Sequence, residues 1–191
     1  MRFLFCILFL VASAVVSFAG PAAVERVADP LKDFLGDDFH ISKADEVLRL
    51  DMDINHDGKN DVFLTRASHT NGKAGNMWSV YKGVKGGYEY VGGMDFHPGF
   101  FYLGYIKRLR RYGLISYWPD SAQSGTFVAH TIRGGTVIDT EVESLSLHDS
   151  EERRDALTRK YFGKGPPFTA PVKVKEIPAS VLAKKYRVQL E

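Results

Sequence analysis

Between residues 46 and 142 the chain repeats one pattern, in which short runs of β-branched and aromatic residues are separated by turns that contain glycine. In the first run Leu48, Leu50 and Met52 alternate with polar residues, which is the two-residue period of a strand with one buried face. The further predicted strands are residues 61–66, 77–82, 88–91, 100–106, 114–118, 126–132 and 136–142. Because glycine allows the positive φ of tight hairpin turns, the pattern predicts a mostly antiparallel meander.

Signals for helices flank these strands. Asp29 stands before Pro30 at the start of one short apolar segment and Gly36 follows its last apolar residue, which is the usual punctuation of a helix. The predicted helices are residues 28–36, 149–162 and 179–186, and residues 172–175 are predicted to form an edge strand. The expected fold is mainly β with flanking helices, its antiparallel meander forming a sheet, a sandwich or an open barrel.

Residues 1–19 have the layout of a secretory signal peptide. One basic residue precedes a long uncharged apolar stretch, and small residues near Ala19 provide a cleavage site. A membrane span would need roughly 20 apolar residues followed by a stop-transfer signal, so we expect cleavage and no stable membrane span afterwards. The only cysteine, Cys6, would be removed with this segment. We therefore expect residues 20–191 to form a single β-rich domain without disulfides, in the periplasm or secreted.

The charge of the chain is nearly balanced, with 25 Lys and Arg against 23 Asp and Glu. A balance of this kind gives no sign of a nucleic acid or an anionic membrane surface as a partner. The local run from Lys107 to Arg111 carries four cations, and we interpret it as a charged hairpin tip.

The most informative motif is Asp-Ile-Asn-His-Asp-Gly-Lys-Asn-Asp at residues 53–61, which has the form D-x-N-x-D-G-x-x-D. Alternate oxygen-bearing side chains in a tight loop suit a hard cation with six to eight ligands, and the glycine allows the sharp turn. The predicted ligands are the side chains of Asp53, Asn55, Asp57 and Asp61 with the backbone carbonyl of Lys59. Three carboxylates favour Ca²⁺ over Mg²⁺, because Mg²⁺ requires a strict octahedron and gives up its waters reluctantly.

The flanks of this loop distinguish between the families that use it. An EF-hand requires glutamate at the twelfth loop position, where this chain has Leu64, and the segment after the loop is β-branched and aromatic rather than helical. The loop is therefore EF-hand-like in its ligands but is predicted to join two strands. Residues 50–64 resemble one FG-GAP or VCBS-type repeat of the kind found in integrin α-chain propellers and bacterial surface proteins. The resemblance implies that Asp61, at the ninth position, closes the ion site.

We expect an exported calcium-binding protein whose ion has a structural role, acting as a non-enzymatic binding or structural module of the cell envelope. Its expected partners are the calcium ion and an envelope or extracellular protein or polysaccharide. No catalytic residue is predicted, since no serine lies in a G-x-S-x-G motif and no cysteine remains for a Cys-His pair.

The alternative is a small extracellular hydrolase acting on a glycan or a peptide. In that interpretation the ion stabilises a cleft between residues 67–76, expected beside the calcium loop, and residues 119–125, with Asp95 and Asp120 as the available carboxylates.

Overall fold

A computed structural model describes residues 25–36, 40–121, 124–146, 148–162, 173–187 and 189–190. The predicted signal peptide lies outside these residues. The strands are β1 (Arg26–Val27), β2 (His40–Ile41), β3 (Glu46–Met52), β4 (Asp61–Arg66), β5 (Asn76–Val84), β6 (Gly87–Phe96), β7 (Phe101–Ile106), β8 (Arg111–Pro119), β9 (Gly125–Arg133), β10 (Thr136–Leu145), β11 (Lys175–Pro178) and β12 (Gln189–Leu190). The helices are α1 (Pro30–Leu35), α2 (Glu151–Phe162) and α3 (Ala179–Tyr186).

The strands form two main antiparallel sheets, and the chain is mainly β as the sequence predicts. The first sheet has the order β1-β6-β5-β4-β3-β11, and the second is the simple meander β10-β9-β8-β7. β12 and β2 form a short parallel pair outside both sheets. Arg108 follows β7 yet donates a hydrogen bond to the Val142 carbonyl on β10. Because β8 and β9 separate those strands, the second sheet must be curved into a half-barrel.

Alternation along the strands places apolar side chains on both faces of each sheet. The cluster that joins the two sheets contains Leu50, Met52, Ile54, Phe63, Trp78, Val80, Val91, Met94, Phe96, Phe101 and Leu114. A second cluster packs α1 and α3 on the outer face of the first sheet, and a third packs α2 on the curved sheet. Each sheet is therefore covered on its outer face by helix and on its inner face by the other sheet.

The predicted helix boundaries are confirmed at both ends of the chain. The Asp29 side chain accepts the backbone N–H groups of Leu31 and Lys32, and Gly36 ends α1 with a φ of 62°. The Tyr186 hydroxyl of α3 donates to Asp29 at 2.8 Å, so one carboxylate caps the first helix and holds the last. Among the described residues, no helix is long and apolar enough to cross a membrane.

All eight strands predicted between residues 46 and 142 are present as β3 to β10. Most of them are longer than predicted. The C-terminal edge strand was predicted at residues 172–175, of which residue 172 lies outside the described residues, and the strand observed is Lys175–Pro178. The reason is tertiary, since Ile177 pairs with Val47 of β3 and packs into the cluster beneath α3. Lys173 and Val174, the described residues directly before Lys175, do not pair with β3.

Candidate metal centre

The predicted calcium loop connects β3 to β4, which pair antiparallel from Met52–Asp61 to Val47–Arg66. The strand, loop and strand arrangement expected from the sequence is therefore present. Gly58 adopts a φ of 83°, the left-handed conformation that glycine tolerates best, and His56 has a φ of 58°. These two residues allow nine positions to turn within one hairpin.

Side-chain oxygens of the loop are held by its own backbone. The N–H of Asp57 lies 3.1 Å from Oδ1 of Asp53 and 3.0 Å from Oδ1 of Asn55, so one nitrogen brings two predicted ligand oxygens together. The N–H of Gly58 donates to the other oxygen of Asp53 at 2.8 Å. Asp57 Oδ1 in turn accepts the N–H of Lys59 at 3.1 Å. The first half of the loop is thus ordered with its acidic groups near one another.

Asp61 has a different position from the other predicted ligands, because it is completely buried. Its Oδ2 accepts the N–H of Ile54 at 3.1 Å, and its Oδ1 accepts the N–H of Gly83 on β5 at 2.9 Å. Burial raises the pKa of Asp61 to about 6, assisted by repulsion from Asp57 and Asp53 and opposed by the two N–H donors. This carboxylate therefore ties the loop to two strands.

The loop also touches residues of both sheets. Gly83 must be glycine, since a Cβ atom there would lie 2.5 Å from the carbonyl oxygen of Asn60. Lys82 Nζ on β5 lies 3.8 Å from Asp57 Oδ2. On the other side, the ring of His56 stacks on Tyr112 of β8 with centroids 4.3 Å apart. The loop therefore lies at the junction of β3, β4, β5 and β8.

The residues present fit a calcium ion in their chemistry. Their donor set is all oxygen, and each carboxylate oxygen that accepts one N–H keeps a further lone pair for a cation. Within the described part of the chain, no three acidic, histidine or cysteine side chains are grouped closely enough to hold a metal by themselves. A site here would need the amide of Asn55 and the carbonyl of Lys59 as well as the carboxylates. All five predicted ligands, Asp61 included, stay predictions.

The cleft of the alternative interpretation has a counterpart in the fold. A cavity of about 270 Å³ lies between residues 71–74 and residues 118–121, with Asp120 in its wall. Residues 67–76 do not lie beside the calcium loop as the sequence predicts. The calcium loop precedes β4 and residues 67–76 follow it, so the two lie at opposite ends of a strand about 20 Å long. Asp95 does not line this cavity, and its Oδ1 accepts the amide of Asn71 at 3.0 Å.

A Ser-His-Asp chain that the sequence pattern did not reveal lies between the sheets. Nε2 of His130 is 2.8 Å from the Ser116 hydroxyl, and Nδ1 of His130 is 2.7 Å from Asp139. Cross-strand register could have found the pair, because His130 lies directly opposite Asp139. The burial is the reverse of a hydrolytic triad: Ser116 is 2% exposed, whereas the Asp139 side chain is 54% exposed. Ser116 also donates to the Asp95 carbonyl, so the chain joins the sheets.

Comparison of the chain with protein-family models, with curated proteins and with solved structures found no match. Of the two candidate sites predicted from sequence, the loop of residues 53–61 brings its predicted ligands into one hairpin. The cleft brings its two loops together but lacks Asp95 in its wall.

Proposed function

We propose that the protein is an exported calcium-binding protein of the cell envelope, in which the ion has a structural role in the loop between β3 and β4. The observation that carries the proposal is the convergence of Asp53 and Asn55 oxygens on the Asp57 N–H, inside a hairpin. Asp53, Asn55, Asp57, Asp61 and the Lys59 carbonyl would hold the ion. The protein acts as a binding or structural module, with an envelope protein or polysaccharide as its expected partner.

A structural role follows from what the loop contacts. The repulsion between Asp53, Asp57 and the buried Asp61 opposes the folded hairpin, and a divalent cation would offset it. The same loop reaches β5 through Gly83 and β8 through the His56–Tyr112 stack. Ordering the loop therefore stabilises the end of both sheets.

The hydrolase remains the second candidate, and the cavity beside Asp120 is the observation in its favour. A glycosidase needs two facing carboxylates, about 5 to 10 Å apart. Asp120 is the acidic residue among those that line the cavity in the described part of the chain. The calcium proposal is better supported because its predicted ligands share one loop.

Thermal melting of the mature chain in chelator, in 10 mM calcium and in 10 mM magnesium tests the proposal. If the loop binds like other extracellular sites, with a Kd of about 10⁻⁴ to 10⁻³ M, calcium adds about 1.4 to 2.7 kcal/mol to the free energy of unfolding. For a domain of this size the melting midpoint should rise by roughly 3 to 10 °C. Magnesium should give a much smaller rise.

Export is tested separately, by mass analysis. Protein taken from the envelope fraction should begin at Gly20.

The variants Asp57→Ala and Asn55→Ala test whether the rise of the melting midpoint in calcium comes from this loop. Asp57→Ala should abolish most of the calcium shift, whereas Asn55→Ala removes a neutral ligand and should reduce it less. Asp155→Ala is the matched control, because Asp155 is an exposed carboxylate on α2 and away from the loop. An unchanged midpoint in calcium, or a full shift in Asp57→Ala, would show that this loop is not the ion site.

A further inference from the structure

A larger cavity lies in the concave side of the curved sheet, under α2. Its volume is about 530 Å³, within the range of small-molecule sites. Its floor consists of the buried side chains of Ile106, Ile115 and Val142, which come from β7, β8 and β10. The aromatic side chains of Tyr102 and Tyr161 also line the cavity. The floor is therefore apolar and is built from three strands of the curved sheet.

The rim of this cavity is cationic. Lys107, Arg108 and Lys160 line it, against one acidic residue, Glu143. Arg108 donates through Nη1 to the Val142 carbonyl, which fixes its guanidinium above the floor and leaves its other N–H groups available. Neither Lys107 nor Arg108 forms an ion pair with any residue that the structure describes. As far as the described residues go, the rim thus has two cations without a carboxylate partner.

Glu143 binds two residues of α2 at the rim. Its Oε2 accepts Lys160 Nζ at 2.8 Å and the Tyr161 hydroxyl at 2.8 Å. Tyr161 in turn packs its ring on Phe127, with centroids 4.9 Å apart. These contacts hold α2 over the cavity. Because Glu143 is paired with Lys160, its negative charge does not neutralise Lys107 and Arg108.

We infer that this cavity binds a small amphipathic carboxylate, with its apolar body on Ile106, Ile115 and Val142 and its carboxylate on Arg108 and Lys107. A planar guanidinium donates two parallel hydrogen bonds to a carboxylate, which favours an organic acid over a neutral amphiphile. The apolar floor excludes small hydrophilic anions, since they would leave it unfilled. The inference goes beyond calcium binding and does not depend on it, because the cavity shares no residue with residues 53–61.

The cavity can be tested by titrating the mature protein, in chelator, with the fluorescent amphipathic anion 1-anilinonaphthalene-8-sulfonate. The bound dye is then displaced with decanoate and, separately, with 1-decanol. We expect one saturable site and displacement by decanoate at least tenfold more effective than by 1-decanol. Arg108→Gln should weaken decanoate binding about tenfold or more, as the loss of a charge-assisted pair requires. Arg110→Gln is the matched control, because Arg110 belongs to the same turn and does not line the cavity. It should bind as the wild type does.

A variant that gains affinity separates binding from misfolding. Glu143→Gln removes the carboxylate that engages Lys160, so decanoate should bind roughly two- to fivefold more tightly. Absence of a saturable site, equal displacement by decanoate and 1-decanol, or equal weakening in Arg108→Gln and Arg110→Gln would overturn the inference. Recruitment to vesicles of phosphatidylglycerol that both arginine variants weaken equally would also overturn it, because the basic turn would then bind a surface and not a single molecule.

Discussion

The calcium loop and the cavity under α2 are built in opposite ways. All predicted ligands of the loop lie within residues 53–61, and backbone N–H groups of the same segment hold several of them. The cavity takes its lining from β7, β8, β10 and α2, and its polar residues are held by side chains or carbonyls of other elements. The first site is local in sequence, whereas the second exists only once the sheet has curved.

The two sites are coupled to the stability of the fold to different degrees. The loop reaches the interior through Asp61, whose two acceptor bonds to Ile54 and Gly83 are buried. The cavity keeps its charged groups at the surface, where Glu143 and Lys160 remain partly exposed. We therefore expect single substitutions in the loop to affect folding more than single substitutions at the cavity rim.

The largest expected effect belongs to Asp61→Ala. This change leaves the N–H groups of Ile54 and Gly83 without an acceptor, and each unsatisfied buried donor costs about 1 to 3 kcal/mol. The free energy of unfolding should fall by about 3 kcal/mol even in chelator, and the melting midpoint by roughly 6 to 12 °C. Asp57→Ala, at a more exposed position, should change the midpoint in chelator by only a degree or two. If both variants lost the same amount of stability in chelator, Asp61 would not anchor the loop to the fold more strongly than Asp57 does.

The same residue shows how far the sequence could predict the molecule. Spacing alone identified Asp61 as part of the loop and β3 and β4 as its flanking strands. It could not reveal that Asp61 is buried against Gly83, because that contact depends on how β5 pairs with β4. The helices were predictable from caps such as Asp29, which act within a few residues.

Features that depend on tertiary contacts were missed for the same reason. The Ser116–His130–Asp139 chain joins three strands, and none of its members carries a local motif. The basic run after β7 was predicted to be a charged hairpin tip, which it is, but the curvature that brings Arg108 to Val142 of β10 has no local signal. Local patterns therefore gave the element types, and the cavity required the assembled sheet.

A smaller effect is expected from pH at the cavity rim. Burial acts to raise the pKa of Glu143, but the hydrogen bonds from Lys160 and Tyr161 outweigh it and the pKa is lowered. An acid with a lowered folded pKa stabilises the protein above its unfolded pKa, and this contribution is lost as the pH falls through the folded value. The wild type should therefore lose more stability than Glu143→Gln below about pH 4.5, by less than about 1 kcal/mol.

Urea unfolding at pH 7 and at pH 3 measures this difference. Glu152→Gln provides the control, since Glu152 is exposed in the first turn of α2 and should keep the pH dependence of the wild type. A Glu143→Gln protein with the same pH dependence as the wild type would show that the link between β10 and α2 adds nothing to stability.

The smallest expected effect concerns Lys82, whose ammonium group lies 3.8 Å from Asp57 Oδ2 and competes with a cation bound to the loop. Lys82→Ala should leave stability in chelator nearly unchanged, because partly exposed ion pairs contribute about 0.2 to 1 kcal/mol. Because Lys82 no longer competes for Asp57, Lys82→Ala should bind calcium about one and a half to fivefold more tightly than the wild type, as measured by calorimetric titration. The gain should shrink at high salt, where the pair is screened. Lys85→Ala is the control, since Lys85 lies in the exposed turn after β5. If Lys82→Ala bound calcium no more tightly than Lys85→Ala, then Asp57 would not share its charge between Lys82 and the ion, and the placement of calcium beside Asp57 would be wrong.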